Sequence, residues 1–232
     1  MTAPAQQRRR EVPSPSVGRR PSAVALYDEG LRAVTAGRTH PVQLCDEAGR
    51  CHPLPLHAWC AESLPGDRAL LDRCAGTTLD VGCGPGRLTA ALAARSVPAL
   101  GIDISATAVA LTRRRGGTAI RASVFGPLPA ETRWDSVLLA DGNIGIGGDP
   151  RALLRRCRAL LAPGGRIVLE LDPASATGAR RVHLCIHGRR SEYFDWAQVG
   201  PEAIADLATD SSLTCQDIAV EEERWISVLT RR

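Results

Sequence analysis

The sequence predicts an α/β protein in which a mostly parallel sheet is covered by helices on both faces. Three observations carry that prediction. Between Thr77 and Asp172, short apolar runs alternate with segments whose apolar residues recur at helical spacing, which is the βαβ rhythm of a parallel sheet. The first apolar run ends in Asp80 and passes through Gly82-Cys83-Gly84-Pro85-Gly86 into a helix starting near Leu88. Such a turn lets a ligand approach the backbone without a Cβ in the way, and a helix N-terminus offers it amide groups. The second run, Pro98 to Ile104, carries Asp103 to the carboxyl edge of the sheet, where open α/β sheets bind ligands.

A chain of 232 residues holds one full core with some decoration. All 29 basic residues are arginine, and their placement bears on partners. Residues 1 to 21 carry Arg8, Arg9, Arg10, Arg19 and Arg20 against Glu11, a net of +4 that equals the net charge of the whole chain. The remainder is neutral, so composition does not support a nucleic-acid footprint on the folded part. The same 21 residues, with Pro4, Pro13, Pro15 and Pro21 among Ser, Gln and Arg, are expected to be disordered. No apolar run approaches a bilayer span, and the arginine cluster is not followed by an apolar segment. The expectation is a cytoplasmic protein without a membrane partner, whose eight cysteines are reduced thiols.

Taken in order, Ser22 caps a helix over Ala23 to Ala36, where Val24, Tyr27, Leu31 and Val34 share a face before Gly37. Pro41 to Cys45 and Arg50 to Leu54 flank Asp46-Glu47-Ala48-Gly49 as a short hairpin. A four-residue loop there places Leu44 opposite Cys51 and puts the two cysteines on opposite sides of the ribbon. Cys45, Cys51, His52, His57 and Cys60 match no paired zinc spacing, so no metal is expected. Asp67 to Cys74 reads as a helix with Leu70, Leu71 and Cys74 on one stripe.

After the glycine turn, Leu88 to Arg95 is helical, and Ser105 caps the helix that follows Asp103 and closes at Gly116-Gly117. Thr118 to Val124 and Trp134 to Ala140 are strands, the latter with Val137-Leu138-Leu139-Ala140 apolar on both faces. Asp149-Pro150 opens the helix Arg151 to Leu161, Pro163-Gly164-Gly165 stops it, and Arg166 to Leu171 is the next strand. Val182, Leu184 and Ile186 alternate with His183, Cys185 and His187 ahead of Gly188 and an aromatic run, a hairpin inserted at about 180–197. Pro201 to Leu207 reads as a helix, and Leu213 to Val220 and Arg224 to Thr230 as antiparallel neighbours joined by Glu221-Glu222-Glu223. The domain division expected is a tail over 1–21, an N-terminal cap over 22–75, and a main domain over 76–232.

The turn narrows the ligand. It is a GxGxG preceded by Asp80 at the strand end; that acid disfavours a pyrophosphate and suits a cation. Asp103 by itself fits ribose hydroxyls in either a nicotinamide or an adenosylmethionine site. Leu79-Asp80-Val81-Gly82-Cys83-Gly84-Pro85-Gly86, Gly101-Ile102-Asp103-Ile104-Ser105 and Leu160-Leu161-Ala162-Pro163-Gly164-Gly165-Arg166 together resemble motifs of the class I S-adenosylmethionine-dependent methyltransferases. The resemblance covers about 77–230. It implies a Rossmann-like three-layer sandwich, with a seven-stranded, mostly parallel sheet whose last strand is antiparallel, and S-adenosylmethionine as cofactor.

Carried over residue by residue, the resemblance assigns the cofactor to Asp80, Gly82, Cys83, Gly84, Gly86, Asp103, Ile104, Ser123, Val124, Asp141, Gly142 and Asn143. Ser123 stands in for the acid that many members place after the third strand. Asp141 is the candidate base or orienting group beside the methyl; the plainer alternative is a loop residue that satisfies backbone amides. Tyr27, His187, Tyr193 and Trp196 are candidates for the acceptor pocket, and equally for anchors of the hairpin. His183 and His187 share a strand face without nearby carboxylates and are expected to face solvent. The function implied is in-line methyl transfer to a small molecule. A non-catalytic adenosylmethionine-binding protein and a nicotinamide-dependent oxidoreductase are the alternatives.

Overall fold

The computed structural model describes residues 20–38, 41–129, 133–173 and 177–232. The arginine-rich tail, expected to be disordered, lies almost entirely outside them. A seven-stranded sheet forms the centre. Its parallel part is β3 (Thr78–Val81), β4 (Ala99–Asp103), β5 (Ala119–Arg121), β6 (Trp134–Leu139) and β7 (Leu161–Leu171). β11 (Leu213–Glu221) and β12 (Arg224–Arg231) complete it in the order β11-β12-β7-β6-β3-β4-β5, with β12 antiparallel to both neighbours. Glu222 and Glu223 take positive φ in the tight turn between them.

Helices cover both faces. α3 (Asp67–Arg73) and α4 (Arg87–Ala94) bury Leu70, Leu71, Leu88 and Leu92 against Leu138, Val168 and Ile226. α5 (Ala106–Arg114) packs beside α4, where Val109 meets Cys83 and Ala119. On the other face, α6 (Pro150–Leu160) and α7 (Ile204–Asp210) bury Leu153, Leu154, Cys157, Leu207 and Ala208 against Leu79, Val137, Ile167 and Leu169. The expected caps close their helices: Ser22, Ser105 and Asp149 accept from the amides of Ala25, Ala108 and Ala152.

Above the carboxyl edge lies a second sheet that the sequence reading treated as two separate pieces. The hairpin β1 (Gln43–Asp46) and β2 (Cys51–Pro53) joins β8 (Gly178–Ile186), β9 (Arg189–Arg190) and β10 (Phe194–Gln198) through antiparallel pairing of β1 with β8. α1 (Ala23–Thr35) and the five-residue α2 (Leu56–Cys60) pack beneath it, with Leu26, Leu31, Val42 and Leu56 against Leu184, Ile186 and Leu111 of α5. We propose that the cap, 22–75, and the inserted hairpin, 180–197, act as one roof over the main sheet.

Two expectations need correction here. In β1–β2 the loop is one residue shorter than expected, with Gly49 at positive φ, so Cys45 stands directly opposite Cys51. A one-residue change of register swaps faces. The two cysteines therefore share a face and form a disulfide, against the expectation of reduced thiols throughout. His183 is buried, not solvent-facing, with its ring edge-on to Tyr193. Among the described residues, no helix is long and apolar enough to cross a membrane.

Candidate active site

The glycine turn is built as the spacing demands. Gly82, Gly84 and Gly86 all take positive φ, where a side chain is strained. At Gly86 the need is also steric: a Cβ would lie 2.6 Å from the backbone of Thr112 in α5. The turn is braced on every side. Gly82 and Cys83 donate their amides to the Ile102 carbonyl, Thr112 Oγ1 donates to the Gly84 carbonyl at 2.9 Å, and Asn143 Nδ2 donates to the carbonyls of Val81 and Gly82.

Two carboxylates face this turn. Asp103 accepts from the amides of Gly84, at 3.0 Å, and Ser105, at 2.8 Å, which leaves outward lone pairs available to a diol. Burial raises its pKa, and those two amides pull it back. Asp80 is 2 % exposed and accepts from Thr89 Oγ1 at 2.6 Å. Burial pushes it up to about 7, with Asp141 and Asp103 adding to the rise against Thr89. A buried carboxylate held this high lacks a cation, and its site suits an ammonium group.

A cavity of about 520 Å³ runs from these groups to the roof. Of the residues expected to hold cofactor, it is lined by Asp80, Gly82, Cys83, Gly84, Asp103, Ile104, Ser123, Val124, Asp141 and Asn143. Ile104 is 53 % exposed at its rim, an apolar surface suited to a nucleobase face. Gly86 and Gly142 do not line it; Gly86 packs the helix junction, and Gly142 supplies the positive φ that starts the turn at Asn143. The donor set thus fits S-adenosylmethionine: an unpaired buried acid for the ammonium, an acid edge for the ribose, and an apolar rim for the base.

Asp141 lines the cavity with its carboxylate already engaged. Arg87 Nη2 donates to one oxygen at 2.5 Å and Arg224 Nη2 to the other at 3.1 Å. Arg224 also binds Glu170, at 2.6 and 2.9 Å, and Asp67, at 2.7 Å, while Arg87 pairs with Asp67 as well. This buried cluster of three acids and two arginines ties α3, α4, β7 and β12 to the loop after β6. It supports the orienting half of the expectation for Asp141 over the base half. The sequence reading missed it; its one local trace is an arginine at the start of a helix whose other buried residues, Leu88, Thr89 and Leu92, are uncharged.

On the roof side, Tyr27 and Trp196 line the cavity as expected, while His187 and Tyr193 do not. His187 sits exposed at positive φ in the β8–β9 turn, and Tyr193 turns to His183 and to the Arg181 guanidinium 5.3 Å from its ring. Strand alternation gives the physical reason: Phe194 and Trp196 face the cavity, so the residue before them faces elsewhere. The wall is completed by Phe194, one of the hairpin aromatics expected to roof the pocket, and by Leu44, Leu54, Trp59 and Leu184, which sequence did not assign to it.

Comparison with known proteins bears on this geometry. A family model described as a methyltransferase domain matches residues 78–165. The chain is 27 % identical over 179 residues to the ubiquinone biosynthesis O-methyltransferase of Xanthomonas oryzae pv. oryzae, covering 71 % of this chain and 74 % of that protein. It is 37 % identical over 112 residues to the ribosomal RNA small subunit methyltransferase C of Chromohalobacter salexigens, covering 44 % of this chain and only 33 % of that protein. The fold resembles that of a SAM-dependent methyltransferase from Bacteroides fragilis in complex with S-adenosyl-L-homocysteine, with a TM-score of 0.75, 20 % identity, and coverage of 91 % of this chain and 95 % of that one. The matched domain begins at the strand that carries Asp80, spans the glycine turn and Asp103, and ends at Gly165; this part of the chain is a methyltransferase domain, and the seven-stranded sheet around it has the fold of the S-adenosylmethionine-dependent methyltransferases.

Proposed function

We propose that this chain transfers the methyl group of S-adenosylmethionine to a small molecule held between the carboxyl edge of the main sheet and the roof. The observation that carries the reading is the cavity that joins the glycine turn to a largely apolar wall built from five separate roof elements, α1, β1, α2, β8 and β10. Bound there, the cofactor supplies an electrophilic methyl group on a sulfonium with a good leaving group. The chain's own task is to bind, align and keep water out. Asp80 holds the ammonium, Asp103 the ribose hydroxyls, and Ile104, Ser123 and Val124 the base. Tyr27 closes over Gly84: its hydroxyl would stand 3.4 Å from a Cβ placed there. Arg87 and Arg224 fix Asp141, and Asn143 locks the following turn onto the glycine turn, so the floor under the methyl group is rigid.

Roof closure and the neutral charge balance outside the tail support a small acceptor over a polynucleotide. The test has two parts. Incubation of cell extract with methyl-labelled cofactor is expected to place label in a low-molecular-mass fraction; label found only in RNA or protein defeats the small-molecule reading. Asp103→Ala is expected to weaken cofactor affinity by about tenfold or more, on the scale of charge-assisted hydrogen bonds to the ribose; unchanged affinity removes Asp103 from the site.

A further inference from the structure

The acceptor half of the cavity has an unusual chemical inventory. Its wall is Leu44, Leu54, Leu184, Trp59, Phe194 and Trp196, with Tyr27 and Asp195 as its polar members. Among the described residues, no histidine, serine or threonine lines that half. Asp141, a part-buried carboxylate of the cavity, has both oxygens held by guanidinium groups. Tyr27 is pushed well above the ordinary phenol range by burial and then by Asp103, so it stays protonated and acts as a donor. Asp195 is 68 % exposed and paired with Arg181 at 4.0 Å, outside the enclosed part, so the enclosed wall offers no free side chain to take a proton from an attacking atom. A hydroxyl nucleophile needs that help, whereas an amine carries its lone pair ready.

Charge separates the remaining candidates. Asp80, Asp103 and Asp141 line the cavity against Arg87 alone, and Arg87 is 3 % exposed and already paired with Asp67 and Asp141; Asp195, 68 % exposed, is paired with Arg181 at the outer cleft. A carboxylate or phenolate acceptor would enter against that excess and find no cation free to meet it. A cationic amine is drawn in. Four of the chain's eight aromatic residues stand on this wall as two edge-to-face pairs, Tyr27 with Trp59 and Phe194 with Trp196, each at 6.4 Å. Their π-faces favour an ammonium beside an apolar body.

We infer that the methyl acceptor is an amine on an apolar body, methylated at nitrogen. The inference rests on the transferase reading above. The amine, drawn in as an ammonium, first gives a proton to water; its neutral nitrogen then forms the new N–C bond with its lone pair as the C–S bond breaks with its electron pair going to sulfur, which gives S-adenosylhomocysteine and a methylated ammonium. The ammonium then loses its proton to water through the outer cleft beside Asp195 and Gly147, which borders the same cavity.

The test uses the full chain saturated with S-adenosylhomocysteine, titrated calorimetrically with 2-phenylethylamine, 2-phenylethanol and phenylacetate. These share one apolar body and differ in charge. The amine is expected to bind tighter than the alcohol by about fivefold or more, as a cation beside aromatic and acidic walls should, and the acid weakest. Equal affinities, the reverse order, or no measurable binding of any of the three overturns the inference. A second arm separates it from the reading beneath it. Labelled extract product retained on cation exchange at acid pH supports the amine, while label in an ether or ester overturns it and leaves the transferase in place. No label transferred to any fraction, with no calorimetric binding of S-adenosylmethionine, overturns both.

Discussion

Replacing Asp80 by asparagine removes one charge and almost no volume, so it isolates the electrostatic role of a carboxylate that is 2 % exposed. Burial holds Asp80 at about 7, against about 4 for an aspartate in an unfolded chain. The folded protein therefore binds more protons than the unfolded chain between those values. Stability linked to this residue is fully present below about pH 4 and is lost as pH rises to about 7. An ammonium seated on Asp80 would return it toward ordinary behaviour, about three powers of ten in proton affinity, or about 4 kcal/mol at most. Desolvation of the ammonium takes back part of that, so Asp80→Asn is expected to weaken S-adenosylmethionine by about 10- to 100-fold at pH 7.5.

The assay is calorimetry at pH 6.0 and 7.5, kept below the ligand's own amine titration near about 8, in two buffers of different ionisation enthalpy. The wild type should bind tighter at pH 7.5 and release a proton at pH 6.0; the variant should do neither. 5′-Methylthioadenosine, which lacks the amino-acid end, should bind both proteins alike. Without ligand at pH 7.5 the variant should melt higher than the wild type. An equal loss for methylthioadenosine, or wild-type affinity indifferent to pH, would refute the assignment of the ammonium to Asp80.

Other perturbations follow from the same structure. Arg224→Met leaves Glu170 and Asp141 short of a buried partner and is expected to destabilise by about 3–5 kcal/mol in urea unfolding; a loss under about 1 kcal/mol would show the cluster to be solvated. Gly86→Ala forces a side chain into positive φ and against Thr112. It should cost about 2–4 kcal/mol, and wild-type melting would contradict the close approach of α4 to α5. Thiol titration of the denatured, unreduced chain should find six thiols, because Cys45 and Cys51 are paired, and eight after reduction. Eight before reduction would return the hairpin to the register expected from sequence.

The main sheet and the cofactor end were legible in sequence because their signals are local. Apolar runs, caps at Ser105 and Asp149, and glycines at fixed offsets each act within a few residues of where they stand. What escaped was set by distant pairing. β7 begins at Leu161 because Trp134 pairs with it across the sheet, so Pro163-Gly164-Gly165 lies inside the strand, at the irregular end of its pairing with β6, and does not break it. α2, five residues between Pro55 and Ala61, is too short to show a period. The Asp67–Arg87–Asp141–Glu170–Arg224 cluster joins four elements and a loop that no window of sequence contains. Tyr193 and Trp196 looked equivalent in composition, and only the face each takes separates them.

The joining of β1 to β8 also bears on the order in which the protein is made. Gln43 pairs with Cys185, so almost the whole cofactor domain lies between the two halves of the roof sheet. Closing so long a loop costs entropy before any contact rewards it. During synthesis the first hairpin must wait, its apolar side uncovered, until the chain has passed β8. The acceptor half is thus completed late, long after the glycine turn and two acids of the cofactor platform have emerged, with only α7, β11 and β12 still to follow.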